Sequence, residues 1–205
     1  MIVTDIRFDD EKNVFFVELE NGDVLRLSYE IYEKYRVAPK KDLSEIEIAS
    51  LSAEDAYTRA RGVALRSINY RIRSRGEIER TLAEKGFDEE TRERVIENLK
   101  ELHLIDDDSY AETFARDKIR LSNYGPVRIR ALLRERGIGS ATIEDTLANI
   151  EEEVFLEAAK KVVDKKRRSL DKLEPLKRKQ KIYELLSYRG FPSEMIRVVL
   201  EDHDV

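Results

Sequence analysis

The period of the apolar positions changes near residue 50. Before it, residues 13–20 (Asn-Val-Phe-Phe-Val-Glu-Leu-Glu) and 23–28 are rich in β-formers and flank Asn21-Gly22. Asn-Gly suits a two-residue type I′ hairpin turn, in which both positions take positive φ, so the pattern predicts an antiparallel pair. Residues 2–8 supply a third strand. A lone hairpin is marginal, so a short helix near residues 28–35, or the rest of the chain, is expected to cover it. Pro39, within residues 37–41, predicts a break before a second short helix.

From residue 53 the period is helical, and an internal repeat emerges when Gly86, Gly137 and Gly190 are aligned. Eight residues before them stand Ile78, Ile129 and Ile182, and four before stand Leu82, Leu133 and Leu186. Residues four apart share a helix face. A base directly precedes each glycine (Lys85, Arg136, Arg189), where the negative end of a helix favours it. Phe87, Ile138 or Phe191 follows, and Ile96, Leu147 or Leu200 stands ten residues on. Each glycine is therefore expected to end a helix in the left-handed conformation. Asp88, Ser140 and Ser193 are read as N-caps of the next helix. Residues 74–77 (Ser-Arg-Gly-Glu) read as a capping box, and Pro126 and Pro175 suit first turns. A further helix precedes each pair, over residues 53–73, 108–121 and 152–168. The expected fold is mainly α: three tandem three-helix, helix-turn-helix-like repeats forming an elongated, curved body behind a small β-hairpin-containing head. Boundaries are expected at residues 1–52, 53–105, 106–150 and 151–205.

Composition narrows the function. Forty per cent of residues are charged, against about a quarter in an ordinary domain, which suits long helices with wide solvated faces. With no cysteine, disulfides and thiolate metal sites are excluded. No apolar run approaches the roughly 20 residues that span a bilayer, and the first residues do not resemble a signal peptide. The expectation is a cytoplasmic protein with no membrane partner. The net charge of -5 hides an asymmetry. Residues 56–76 carry no acid, against Arg59, Arg61, Arg66, Arg71, Arg73 and Arg75, and residues 160–189 are again basic. Such a distribution points to an anionic partner met by one surface.

Residues with catalytic spacing are not found. Gly137-Ile-Gly139 lacks a third glycine and a preceding strand, so it is no phosphate loop. His103 and His203 lack ligand spacing. Asp106-Asp107-Asp108 lies where a helix begins and is read as capping rather than as a metal site. No enzyme activity, metal, cofactor or small-molecule substrate is expected. Tyr110 and Phe114, beside Ala111 and Ala115, read as core, whereas Tyr124 is open between core and stacking on a base. Arg59, Arg66 and Arg73 are spaced by seven and share a helix face, with Tyr57, Ala60, Ala64 and Ile68 on another. The proposed binding surface is one basic face of Arg59, Arg66, Arg73, Arg75, Arg128, Arg130, Lys165, Lys166, Arg167 and Arg168. A basic ribbon of this kind tracks a polyanion without reading bases.

Residues 102–116 (Leu-His-Leu-Ile-Asp-Asp-Asp-Ser-Tyr-Ala-Glu-Thr-Phe-Ala-Arg) resemble the Leu-Ile-Asp-Asp…aromatic-Ala element of the RecX family, regulators of the RecA recombinase. Residues 74–87, ending Lys-Gly-Phe, and 124–138, opening Tyr-Gly-Pro and ending Arg-Gly-Ile, are similar to two further elements of that family. The likeness is strongest over residues 64–147, and weaker over the third repeat and the head. It implies three tandem three-helix repeats and a protein that binds in the groove of the RecA–single-stranded DNA filament. There it blocks ATP hydrolysis and strand exchange, in recombination, DNA repair and the SOS response. The basic face would then meet filament-bound DNA or acidic RecA surface. The acidic head, and Arg136 where the family commonly has Lys, depart from the simplest pattern. The competing readings are a stand-alone DNA-binding protein of helix-turn-helix-like units and a helical scaffold with protein partners only.

Overall fold

The computed structural model of the chain describes residues 1–202. It forms two compact units: residues 1–73 with 78–105, and residues 74–77 with the chain from 106 onward.

The first unit opens with an antiparallel meander, β1 (Val3–Asp9), β2 (Val14–Leu19) and β3 (Val24–Ser28), in that order across the sheet. Val17 faces Ile6 on one side and Leu25 on the other, which sets one apolar face. The β2–β3 turn differs from the expected type I′. Gly22 has φ +88°, but Asn21 is not in the positive-φ region. The Gly22 N–H donates to the Leu19 carbonyl and the Leu19 N–H to Asp23. This is a three-residue turn with a left-handed glycine, the next commonest hairpin closure. The Asn21 side chain accepts from the Asp23 N–H, a bond that does not require positive φ. α1 (Tyr29–Tyr35) covers the sheet as expected, with Ile31 buried among Val3, Val17, Leu19, Leu27, Val37, Leu43 and Leu51.

No second short helix follows Pro39. Residues 40–43 run beside the start of β1 instead, the Val3 N–H donating to Lys41 and the Leu43 N–H to Met1. That pairing covers an otherwise open sheet edge. A Ser44/Glu47 capping box then starts α2 (Glu45–Tyr70), which runs straight through the expected boundary at residues 52–53. Leu51 belongs to the core of the head, and Ala60 and Ala64 to that of the first repeat. α3 (Arg75–Glu84) and α4 (Glu89–Glu101) complete that repeat, with Ile78, Leu82, Val95, Ile96 and Leu99 buried.

The second unit holds α5 (Asp107–Ser122), α6 (Pro126–Glu135) and α7 (Ser140–Ala148), then α8 (Glu152–Asp164), α9 (Arg167–Leu170), α10 (Pro175–Arg189) and α11 (Ser193–Asp202). α8 stops four residues earlier than expected. The chain turns instead and buries Leu170, while Arg178 donates to the carbonyls of Leu170 and Leu173.

All three middle helices close alike. Gly86, Gly137 and Gly190 have φ of +81°, +76° and +84°. The N–H of the following residue donates back to the leucine: Phe87 to Leu82, Ile138 to Leu133, Phe191 to Leu186. This is the 6→1 bond of a Schellman closure. Ile138 and Phe191 are buried, and Phe87 packs on the first repeat's core. Among the expected N-caps only Asp88 accepts a bond from its helix. Ser140 and Ser193 are first helical residues, one position too late to cap. The Ser74/Glu77 box forms, and Asp106 caps α5 by accepting from Asp108 and Ser109. His103 takes the left-handed position after α4, and His203 lies outside the described residues.

Candidate interaction surface

In the first unit, Arg59 is turned inward. Its Nε donates to Asp55 Oδ2 at 2.7 Å, and Asp55 Oδ1 accepts the Ser28 N–H at 2.6 Å. Asp55 is 1% exposed, so this cation neutralises a buried carboxylate that ties α2 to the end of β3. Arg66 is exposed, on the helix side away from Ala60 and Ala64. Arg73 does not share its face, because α2 ends at Tyr70; its Nε lies 3.4 Å from the Ser67 carbonyl. Tyr57 and Ile68 pack on the core as the apolar stripe requires.

In the second unit, Arg75 leaves its side chain exposed while its backbone N–H donates to Asp107. Arg128 is wedged between two aromatic rings, 4.6 Å from the Tyr124 centroid and 5.2 Å from that of Tyr188, and donates to the Tyr188 carbonyl. Arg189 lies over Tyr124 and donates to the Ser122 carbonyl. Tyr124 is thus held on the core between two guanidinium groups, while Tyr188 is largely exposed. Arg130 makes a bidentate pair with Glu144, both bonds 2.8 Å. That hydrogen-bonded guanidinium holds the Glu144 carboxyl below its usual range. Lys165, Lys166, Arg167 and Arg168 are exposed where α8 gives way to α9.

The fold therefore engages Arg59, Arg128 and Arg130 and leaves Arg66, Arg75 and the 165–168 run outward. The spacing of Asp55 and Arg59, four apart, is a sequence signal for their pairing. Glu144 lies in another helix from Arg130, and no local pattern marks it. Each carboxylate of Asp106-Asp107-Asp108 has a use: a cap, the Arg75 N–H, and the Thr142 hydroxyl, which donates to Asp108 at 2.9 Å. Tyr110 is buried as read from sequence. Phe114 stacks on it and carries the Arg136 guanidinium 4.4 Å from its ring centroid. Among the described residues no helix is long and apolar enough to cross a membrane.

Models of the first, second and third three-helix domains of RecX match residues 60–99, 106–147 and 152–200. The regulatory protein RecX of Finegoldia magna is 32% identical, covering 97% of this chain and 98% of its own. That of Oceanobacillus iheyensis is 29% identical, covering 99% and 75%. A crystal structure of a regulatory protein RecX superposes with a TM-score of 0.73 at 28% identity over 98% of both chains. The crystal structure of RecX from Lactobacillus salivarius gives 0.70 at 26% identity, over 74% of this chain and 98% of that one.

Proposed function

The chain belongs to the RecX family of regulatory proteins, and from that premise we propose that it binds the RecA–single-stranded DNA filament and inhibits its ATPase and strand-exchange activity. In this reading it works in the cytoplasm, in recombination and repair, by occupying a surface rather than through an active site. The match of all three RecX domains in order along the chain carries the proposal. The outward cations support it: Arg66 in the first unit, and Arg75 with Lys165, Lys166, Arg167 and Arg168 in the second, suit phosphate or carboxylate. The test is DNA-stimulated RecA ATPase at rising concentration of this protein. Hydrolysis is expected to fall to a low plateau, less steeply as salt is raised. An ATPase rate unchanged at saturating protein would refute inhibition.

A further inference from the structure

The head carries a patch of four aromatic rings. Phe8 and Phe15 face each other across β1 and β2, their ring centroids 4.6 Å apart. Tyr32 of α1 stacks on Phe15 at 3.7 Å, and Tyr29 lies 6.0 Å from Phe15 and 6.3 Å from Phe8. Phe15 and Tyr32 are half-buried, but Phe8 is 42% and Tyr29 48% exposed. Single apolar residues at a surface are ordinary, whereas contiguous ones rimmed by polar groups mark a contact surface. The core does not require the exposed rings. Val17, Leu27 and Ile31 close it, and Phe8, Phe15 and Tyr29 stand outside it.

Two observations give the occupant its charge. The rim of the patch is acidic. Glu30 and Glu33 flank Tyr29 on α1, and Asp10 and Glu11 follow Phe8 in the turn between β1 and β2. All four are exposed and have no ion-pair partner among the described residues. The neighbouring lysines are engaged, Lys12 with Asp9 at 3.4 Å and Lys34 with Glu54 at 2.7 Å. The rings themselves are the second observation. In the helical repeats Tyr57 carries Arg94 4.7 Å from its centroid, Phe87 carries Arg59 at 5.6 Å and Phe114 carries Arg136 at 4.4 Å. Among the described residues no cation stands over Phe8, Phe15, Tyr29 or Tyr32, although Arg36 closes α1 one turn after Tyr32.

Ring faces attract a guanidinium or ammonium group, whose aliphatic stem covers the ring. Acids at the rim strengthen that attraction and repel phosphate, so a nucleic-acid strand is excluded here. An uncharged apolar segment leaves the acids without a use. Spacing adds a conformation. Alternate side chains of an extended chain lie about 6.6 Å apart on one face, close to the 6.3 Å between the Phe8 and Tyr29 centroids.

We propose that this face of the head docks an extended, arginine- or lysine-bearing segment of a protein partner. Cations at alternate positions lie over Phe8 and Tyr29, within reach of Glu30 and Glu33. This surface has the opposite charge to the outward cations and does not depend on inhibition of RecA.

The test uses the full chain and two fluorescein-labelled ten-residue peptides, one alternating arginine with alanine, the other with neutral citrulline in place of arginine. The arginine peptide should bind saturably, and the citrulline peptide about tenfold more weakly or worse, because the ring faces attract charge. Phe8→Leu with Tyr29→Leu keeps apolar bulk and removes two ring faces. It should weaken arginine-peptide binding by about fivefold or more, the low end for two exposed cation–π contacts. Glu30→Gln with Glu33→Gln should weaken binding and flatten its salt dependence. Glu93→Gln with Glu101→Gln, on the exposed side of α4, is the control for general attraction to acids and should change nothing. Thermal unfolding checks that all three variants fold. Amide NMR shifts on adding the peptide should fall within residues 8–15 and 29–36. Wild-type affinity in the ring variant overturns the proposal whatever the acids do, as do shifts confined to other segments or the absence of saturable binding. Sedimentation velocity tests the other occupant. Self-association of the full chain that the ring variant abolishes would make a second copy the occupant and overturn the partner segment.

Discussion

Gly76 and Gly137 meet backbone to backbone: a β-carbon on Gly76 would lie 2.7 Å from the Gly137 α-carbon, and the converse distance is 2.8 Å. The Ser74 hydroxyl donates to the carbonyl of Arg136, the residue before that glycine, at 2.6 Å. The same joint recurs one repeat later. The Gly125 N–H donates to the Arg189 carbonyl and the Val127 N–H to that of Gly190, with a β-carbon on Gly125 blocked by the Gly190 carbonyl. The glycines that end the second and third middle helices thus have two tasks, a left-handed closure and a close backbone approach. Gly86 has only the first, since a β-carbon there meets nothing within 4 Å.

Gly86→Ala and Gly137→Ala should therefore differ although their φ values agree. The first costs about 1–2 kcal/mol for a left-handed L-residue. The second adds overpacking against Gly76, typically about 1–3 kcal/mol more. Urea unfolding monitored by circular dichroism measures both. Equal losses would mean that the joint yields without cost.

The repeat is legible because its signals are local: isoleucine, leucine, base, glycine and apolar residue at fixed offsets all serve one helix end. The joint is not, because Gly76 and Gly125 look like ordinary helix starts until the next repeat's carbonyl is brought beside them. The start of α2 is hidden for a related reason. Pro39 does break the chain, but residues 40–43 go to the sheet edge, a non-local pairing, and Leu51 serves the head from within a helix expected to begin after it. The basic residues are legible as charges but not as partners. Arg66 and Arg130 look alike in sequence, and only the fold brings Glu144 to one of them.

The Asp88 cap makes a pH-dependent contribution. Its carboxylate accepts the Thr91 N–H at 2.8 Å, which holds its pKa below the usual value. A depressed folded-state pKa means that the stabilisation is complete above the unfolded value, about 3.9, and is lost as pH falls through the folded one. Asp88→Ala should cost about 1 kcal/mol at neutral pH, as N-cap truncations do. The gap between variant and wild type should close as pH drops below about 4. A gap that persists once the carboxyl is protonated in both the folded and the unfolded state would assign the loss to packing instead.

Asp55 should hold the head to the first repeat. Asp55→Ala strands the Ser28 N–H and frees Arg59, a loss of about 1.5–3 kcal/mol for bonds to a charged acceptor. Asp55→Asn keeps an acceptor and should lose less. Deleting residues 1–43 while keeping the Ser44 cap should leave a cooperatively folding helical protein, because the cores around Leu27 and around Leu82 are separate. Non-cooperative thermal unfolding of that truncation would show that the first repeat needs the head's core.

The last prediction separates cations the fold engages from those it leaves outward, and it rests on the proposed inhibition of RecA. Arg66 and Arg75 are exposed and lie off the apolar stripes, so reversing them should leave the fold intact. Arg66→Glu with Arg75→Glu replaces two attractions by two repulsions at an anionic partner, and the concentration for half-inhibition should rise by more than about tenfold. The effect should shrink as salt is raised, because exposed charges are screened beyond about 8 Å at physiological ionic strength. Arg130→Gln removes a guanidinium already paired with Glu144, so it should change half-inhibition by no more than about twofold, the size expected of an exposed ion pair. An unchanged double reversal beside a damaging Arg130→Gln would invert the assignment and place the working contact at the α6–α7 pair.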